Sequence, residues 1–228
     1  MSKGKKRRQA KQKAKRIMKA RRGKIAPFDL QNSPKKYRGF SNKYCYKTNI
    51  HRLIYKDASF SNIKFQASNM TDCNYRNSKL NCIDYVGCNL KGSNFTGANL
   101  RNVLFMCCNL NGVNFTNCKF QNVYFITTNI EKCKGFPDDG FIQMRTCPKL
   151  DVDEKISIAV DRMCQIKAAH IFYVANNKLN MWTIKIVLDK YGAMTGDLLL
   201  RLSRERKLKA LYSLGAYCDF IESHYDVC

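Results

Sequence analysis

The sequence predicts a β-solenoid that carries a basic arm in front and an α-helical region behind. Three observations carry that prediction. A large apolar residue stands at every fifth position from Tyr55 to Ile130, 16 matches in 16 positions. After Pro148 the apolar spacing becomes helical. The first 25 of 228 residues hold 13 Lys and Arg and no acidic residue.

The arm comes first in the chain. Residues 1–40 carry a net +15 of the chain's formal +24, so the charge is local rather than a property of the folded body. A block of like charge this dense is expected to be disordered alone. Lys5, Lys6, Arg7, Arg8, Lys11, Lys13, Lys15, Arg16, Lys19, Arg21, Arg22 and Lys24 suit neutralisation of phosphates, with affinity that falls steeply with salt. The interspersed Ala10, Ala14, Ile17, Met18 and Ala20 would allow a helix on binding. An anionic membrane surface would also suit the charge, but the arm has few large apolar anchors. No apolar core follows the charges as in a signal peptide, and no stretch is long enough to span a bilayer. Phe28, Tyr37, Phe40, Tyr44 and Tyr46 follow, and are expected to cap the open end of the solenoid rather than stack on bases.

The repeat itself excludes simpler structures. Steps of five advance a helix by about 140° net, which scatters the column around the axis. A straight strand fails because five is odd and side chains alternate faces. The chain must therefore turn once per repeat. A second column, two residues earlier, is small or β-branched (Ala58, Ile63, Ser68, Cys73 and onward to Thr128), and residues two apart in an extended segment share a face. Asn often precedes the large residue. Two residues after it come Asn62, Asp72, Asn77, Gly87, Gly92, Gly97, Asn102, Gly112, Asn117 and Asn122, which tolerate the backbone angles of a corner.

Stretches such as Cys88-Asn89-Leu90-Lys91-Gly92 and Ala98-Asn99-Leu100-Arg101-Asn102 match the A-(D/N)-L-x-x pattern, and residues of about 53–133 resemble the pentapeptide repeat family. The resemblance implies a mainly β fold: a right-handed quadrilateral β-helix with four pentapeptides per coil. Sixteen repeats make four coils, a rod about 19 Å tall at about 4.8 Å per strand.

Residues 20 apart then stack into four walls. Wall one is Tyr55, Tyr75, Phe95 and Phe115; wall two is Phe60, Leu80, Leu100 and Phe120; wall three is Phe65, Tyr85, Phe105 and Phe125; wall four is Met70, Leu90, Leu110 and Ile130. Outward positions of walls one, two and four are mainly polar. Wall three instead presents Val86, Leu104, Met106, Tyr124 and Ile126. A contiguous apolar patch of that kind marks an interface, so this wall is expected to be covered, by the chain's own C-terminal helices or by a partner subunit.

Beyond the β-helix of 41–136, a linker of 137–150 contains Pro137, Asp138, Asp139, Gly140 and Pro148. Residues 151–228 form the helical region. Asp151 or Asp153 caps a first helix with Ile156, Val160, Met163, Cys164 and Ile166 on its apolar face. A second, around Leu179–Tyr191, ends at Gly192. Thr195 or Asp197 starts one or two more. A core of about 75 residues is marginal by itself, so these helices are expected to dock on wall three or to dimerise. Arg201, Arg204, Arg206, Lys207 and Lys209 read as a solvated helix face, or more sharply as a second anion contact.

The twelve cysteines are not read as a zinc site. Cys73, Cys88, Cys108, Cys118 and Cys133 fall in the inward small column as small buried hydrophobes, and Cys88 and Cys108 should stack. The absence of a secretion signal argues for a reducing compartment. His51, His170 and His224 are scattered, and the chain shows no phosphate loop, paired carboxylates or nucleophile motif. A non-catalytic binding or scaffold protein without cofactor or metal is expected. Its arm would meet nucleic acid or a nucleoprotein, and its wall or helices would meet protein. The resemblance implies a bacterial, cytoplasmic setting and an alternative role, since the family includes DNA-like proteins that protect type II topoisomerases (gyrase). Residues 58–132 hold seven basic and three acidic side chains, a departure from the acidic surface such mimicry uses. An adaptor with no nucleic-acid role is the remaining alternative.

Overall fold

The computed structural model describes residues 4, 38–164, 171–174 and 178–225. Residues 5–37, which include the twelve arm cations named above, lie outside that set, as do Ile166 and His170.

The chain winds as a solenoid of about five turns. One side is a parallel six-stranded sheet, in order β1 (Ser41–Tyr46), β3 (Ser59–Gln66), β5 (Lys79–Val86), β6 (Asn99–Met106), β7 (Lys119–Ile126) and β8 (Phe141–Met144). Short strands β2 (Asn49–His51) and β4 (Asn69–Thr71) pair opposite. The register advances by 20 residues per coil: Ile63 faces Ile83, Ile83 faces Val103, and Val103 faces Val123. The ladder exceeds the four expected coils at both ends, through β1 and β8. At about 4.8 Å per spacing, six rungs span about 24 Å. Strand β8 lies in the segment expected as a linker and pairs in a shortened register, Val123 with Phe141.

The period of five is a backbone period. Every fifth residue from Asn42 to Thr127 has positive φ. The corner formers of the sequence occupy these positions, and so do Ala67, Cys82, Cys107 and Thr127, where the left-handed conformation costs about 1–2 kcal/mol for a residue with a Cβ. The Asn before each large residue closes the corner from the other side. Asn74, Asn89, Asn94, Asn109, Asn114 and Asn129 each accept, through Oδ1, the backbone N–H two residues on, an Asx-turn.

Inside, walls one and three are continuous ring stacks. Tyr85 and Phe105 lie 5.1 Å apart at 6°, and Phe105 and Phe125 5.1 Å apart at 4°; Tyr75 and Phe95 lie 4.5 Å apart at 7°. Phe40 closes the first end, edge-on to Phe60 and Phe65. Phe136 and Phe141 close the other. The small column does more than fill space. Ser68, Cys88, Cys108 and Thr128 form one ladder, each donating to the carbonyl 23 residues earlier, on Cys45, Phe65, Tyr85 and Phe105. Cysteine here takes the donor position of serine and threonine, so the reading as plain hydrophobes understated it.

Four α-helices follow among the described residues. Helix α1 (Glu154–Cys164) starts where Asp153 accepts the N–H of Lys155 at 2.9 Å and buries Ile156, Ala159, Val160 and Met163. Helix α2 (Met181–Tyr191) ends at Gly192, at φ 55°, whose N–H reaches Leu188 O. Helix α3 (Thr195–Leu202) buries Leu198, Leu199 and Leu202. A 3-10 turn, Arg206–Ala210, leads to α4 (Leu214–His224), where Ser213 accepts the N–H of Ala216.

Candidate functional site

The helical region sits on wall three. Leu104 (2% exposed) and Ile126 (0%) are buried in a second core with Ile184, Val187, Leu214, Tyr217 and Ile221. Met106 and Tyr124 are partly buried against the same core, and Val86 is half-buried at its margin. Of the two covers weighed for this wall, the structure has the chain's own helices over these residues.

The polar residues of the same face anchor the cap, and sequence reasoning missed them. Asp84 is buried and its Oδ2 accepts the backbone N–H of Leu214 at 2.9 Å, at the start of α4. Asn62 donates to Ala210 O and accepts the N–H of Tyr212, both at 2.7 Å. Asn102 donates to Asp219 Oδ1 at 2.8 Å, and Cys82 Sγ to Asp219 Oδ2 at 3.2 Å. Gly215 makes the approach possible: a Cβ there would stand 2.7 Å from Asn102 Cβ and 2.8 Å from its carbonyl oxygen. The only signal in the sequence was Asp84 itself, a carboxylate among apolar outward residues.

Electrostatics at this seam are those of buried charge. Lys64 pairs in register with Asp84 and is 3% exposed. Burial pushes the Asp84 carboxyl up to about 7, against the opposing pull of the Leu214 N–H and Lys64. Burial pushes Lys64 down to about 8, with Asp84 opposing. A cavity of about 20 Å3 lies at the seam, lined by Asp84, Asn102, Leu104, Tyr124, Lys190 and Cys218, with room for about one water.

The cap does not cover the whole wall. On the first rung Tyr44 is 39% and Tyr46 50% exposed. Phe40 caps the solenoid as expected, but these two rings point outside it. They lie near-parallel with centroids 6.3 Å apart. Tyr44 donates to Gln66 Oε1 at 2.8 Å, and Lys47 Nζ lies 5.0 Å from the Tyr46 centroid. Arg206, Lys207 and Lys209 are exposed on the 3-10 turn, and that turn is brought to the same end. Asn62 bridges Ala210 O and Asn42 Oδ1, each at 2.7 Å.

Among the described residues, walls one and four present Asn ladders. Asn49, Asn69, Asn89, Asn109 and Asn129 pair successively, with Asn89 Nδ2 3.1 Å from Asn69 Oδ1. Among the described residues no group of three or more His, Cys, Asp or Glu is placed to hold a metal, and no helix is long and apolar enough to cross a membrane. The eleven described cysteines are free of disulfides.

Residues 86–122 match the family model for pentapeptide repeats (8 copies). A search of curated proteins returned no match. Among solved structures the chain is similar to HetL, a pentapeptide repeat protein involved in heterocyst differentiation regulation from the cyanobacterium Nostoc, with 12% identity and TM-score 0.34 over 51% of this chain. The chain spans 44% of HetL. It is also similar to a pentapeptide repeat protein from the thylakoid lumen of Arabidopsis thaliana, with 16% identity and TM-score 0.27 over 56% of this chain and 72% of that one. A third similarity is to trypsin-treated QnrB1, a plasmid-mediated fluoroquinolone resistance protein, with 10% identity and TM-score 0.17 over 56% of this chain and 95% of that one.

Proposed function

We propose that this chain, whose repeats are pentapeptide repeats forming a β-solenoid, is a non-catalytic binding and scaffold protein that associates with nucleic acid or a nucleoprotein through its basic arm. The observation that carries the reading is the confinement of charge: +15 of the formal +24 lies in residues 1–40, against +4 over residues 58–132 of the repeat region. Localised positive charge makes affinity through phosphate contacts, and little of it depends on sequence. The solenoid and its cap then act as a rigid body that the arm tethers. Its open walls, one and four, are the surfaces free for a protein partner, since the apolar part of wall three is occupied by the chain's own helices.

The full chain should be retained on nucleic acid at low salt and released steeply as salt rises, and deletion of residues 1–25 should abolish retention. Salt-independent retention, or retention unchanged by the deletion, counts against the reading. Topoisomerase protection is the second reading, favoured by the rod shape alone. The rod's seven basic and three acidic side chains over 58–132 oppose it, because a duplex mimic needs an anionic surface. Gyrase supercoiling in the presence of a quinolone tests it directly, and absence of rescue at every protein concentration removes it.

A further inference from the structure

We propose that Tyr44 and Tyr46 form a stacking platform for single-stranded nucleic acid at the end of wall three nearest the arm, flanked by the basic 3-10 turn Arg206–Ala210. The proposal rests on the reading that the arm seeks nucleic acid, and it adds where and in what form the nucleic acid lies on the folded body.

The two rings occupy positions that are buried or half-buried on later rungs, where the cap packs on Leu104, Met106, Tyr124 and Ile126. The equivalents are Lys64 and Gln66, then Asp84 and Val86, then Leu104 and Met106, then Tyr124 and Ile126. On the first rung the wall is aromatic again, and both rings remain exposed. Single exposed apolar side chains are ordinary. Two near-parallel rings, one held by Gln66 and one beneath Lys47, are a preformed surface.

The charge around them points to the ligand. Lys43 lies on β1 and Lys47 directly after it, and Arg206, Lys207 and Lys209 come from a turn more than 150 residues later in the chain. The hydrogen bonds of Asn62 to Ala210 and Asn42 bring the two segments to one corner. Neither Ser41–Lys47 nor Arg206–Ala210 contains an acidic residue. Glu205, just before the turn, is engaged by the Tyr225 hydroxyl at 3.2 Å. Aromatic faces set among cations suit unstacked bases joined by phosphates. A duplex offers the phosphates but hides the base faces.

The test uses the full chain and fluorescein-labelled oligouridylate of about 12 nucleotides, a length within single-strand site sizes, with a duplex of equal length beside it. Tyr44→Ala/Tyr46→Ala should weaken single-strand binding about tenfold or more, as loss of base stacking does. Duplex affinity and the salt slope should stay unchanged, because stacking releases no counterions. Tyr44→Phe/Tyr46→Phe should retain wild-type affinity. Arg206→Gln/Lys207→Gln/Lys209→Gln should lower the salt slope. Photocrosslinking of 4-thiouridine oligomers to the wild-type chain, mapped by mass spectrometry, needs no variant and should mark Tyr44 or Tyr46.

Single-strand binding unchanged in the double alanine variant overturns the platform and leaves the arm reading standing, as do crosslinks confined to residues 1–25. Failure of the wild-type chain to bind any oligonucleotide overturns both. Concentration-dependent dimerisation lost in the alanine variant, with oligonucleotide binding intact, also overturns the platform and makes this edge a self-association surface.

Discussion

Asp84 Oδ2 and the backbone N–H of Leu214 meet at 2.9 Å, so a carboxylate on the outside of the solenoid caps a helix 130 residues later in the chain. The first N–H groups of a helix have no partner within it, and its N-terminus favours negative charge. Asp84 supplies both needs from outside the helix, and Lys64 lies alongside. Replacing Asp84 by Ala leaves the Leu214 N–H without that acceptor, at an expected cost of about 1–3 kcal/mol. Asp84→Asn keeps an acceptor oxygen and should recover part of it. Urea denaturation of the two variants measures both; equal losses in the two would contradict the cap.

The same pair sets a pH dependence. Asp84 is pushed up to about 7, against about 3.9 in the unfolded chain. The folded chain therefore keeps a proton that the unfolded chain has lost, and stability falls as pH rises from about 4 to 7. Lys64, pushed down to about 8 from about 10.4, acts oppositely. The folded chain releases its proton first, so stability rises from about pH 8 to 10. Stability should pass through a minimum between about pH 7 and 8, with limbs on the order of 1 kcal/mol per pH unit. Asp84→Leu/Lys64→Met should flatten the profile in denaturation series across that range.

Gly215→Ala should displace α4, because the added methyl meets Asn102 at 2.7 Å and that neighbour is held in the ladder. Overpacking of this kind costs about 1–3 kcal/mol. Limited proteolysis should then release the helical region while the repeat segment persists. A thermal melt identical to wild type would rule out the close approach.

Ala67 is exposed at φ 49° on a corner where the next rung places Gly87. Ala67→Gly should therefore stabilise the chain by about 1 kcal/mol, relief of the left-handed penalty exceeding the entropic cost of glycine. A raised melting temperature checks it, and a lowered one would show that the corner is not strained.

Thiol chemistry should separate surface from ladder. Cys107 and Cys147 are exposed, whereas burial pushes Cys45 and Cys73 up to about 12 and Cys118 up to about 11. Thiolate is the reactive form. Iodoacetamide at neutral pH should label Cys107 and Cys147 well before those three, as read by peptide mass spectrometry. Because cysteine shares its ladder position with Ser68 and Thr128, Cys108→Ser should cost about 1 kcal/mol or less, and Cys108→Val more.

How much was legible follows from which residues act locally. The column Tyr55 to Ile130 and the corner formers are visible because each repeat meets the same steric demand, so the walls could be sorted by counting. The cap was legible only in outline. Leu104 and Ile126 show that wall three needs a cover, but hydrophobic pattern does not say which apolar surface supplies it. Asn62, Asn102 and Asp84 look like any outward polar residues, because their partners lie 117 to 150 residues away. Tyr44 and Tyr46 were expected to cap the open end with Phe40. Alternation along β1 separates them, with Cys45 turned inward and both rings turned out.

The sequence by itself determined the period, the inward columns and the placement of charge in the arm, and its resemblance to pentapeptide repeats implied the square winding. The first three follow from short-range sterics and composition. Only the tertiary structure decided that wall three is closed by the chain's own helices over its middle rungs and left open on its first. That outcome depends on which distant groups can satisfy one another. A helix N-terminus reaches Asp84 and a glycine admits the rod's backbone, whereas Tyr44 and Tyr46 stay exposed beyond the cap.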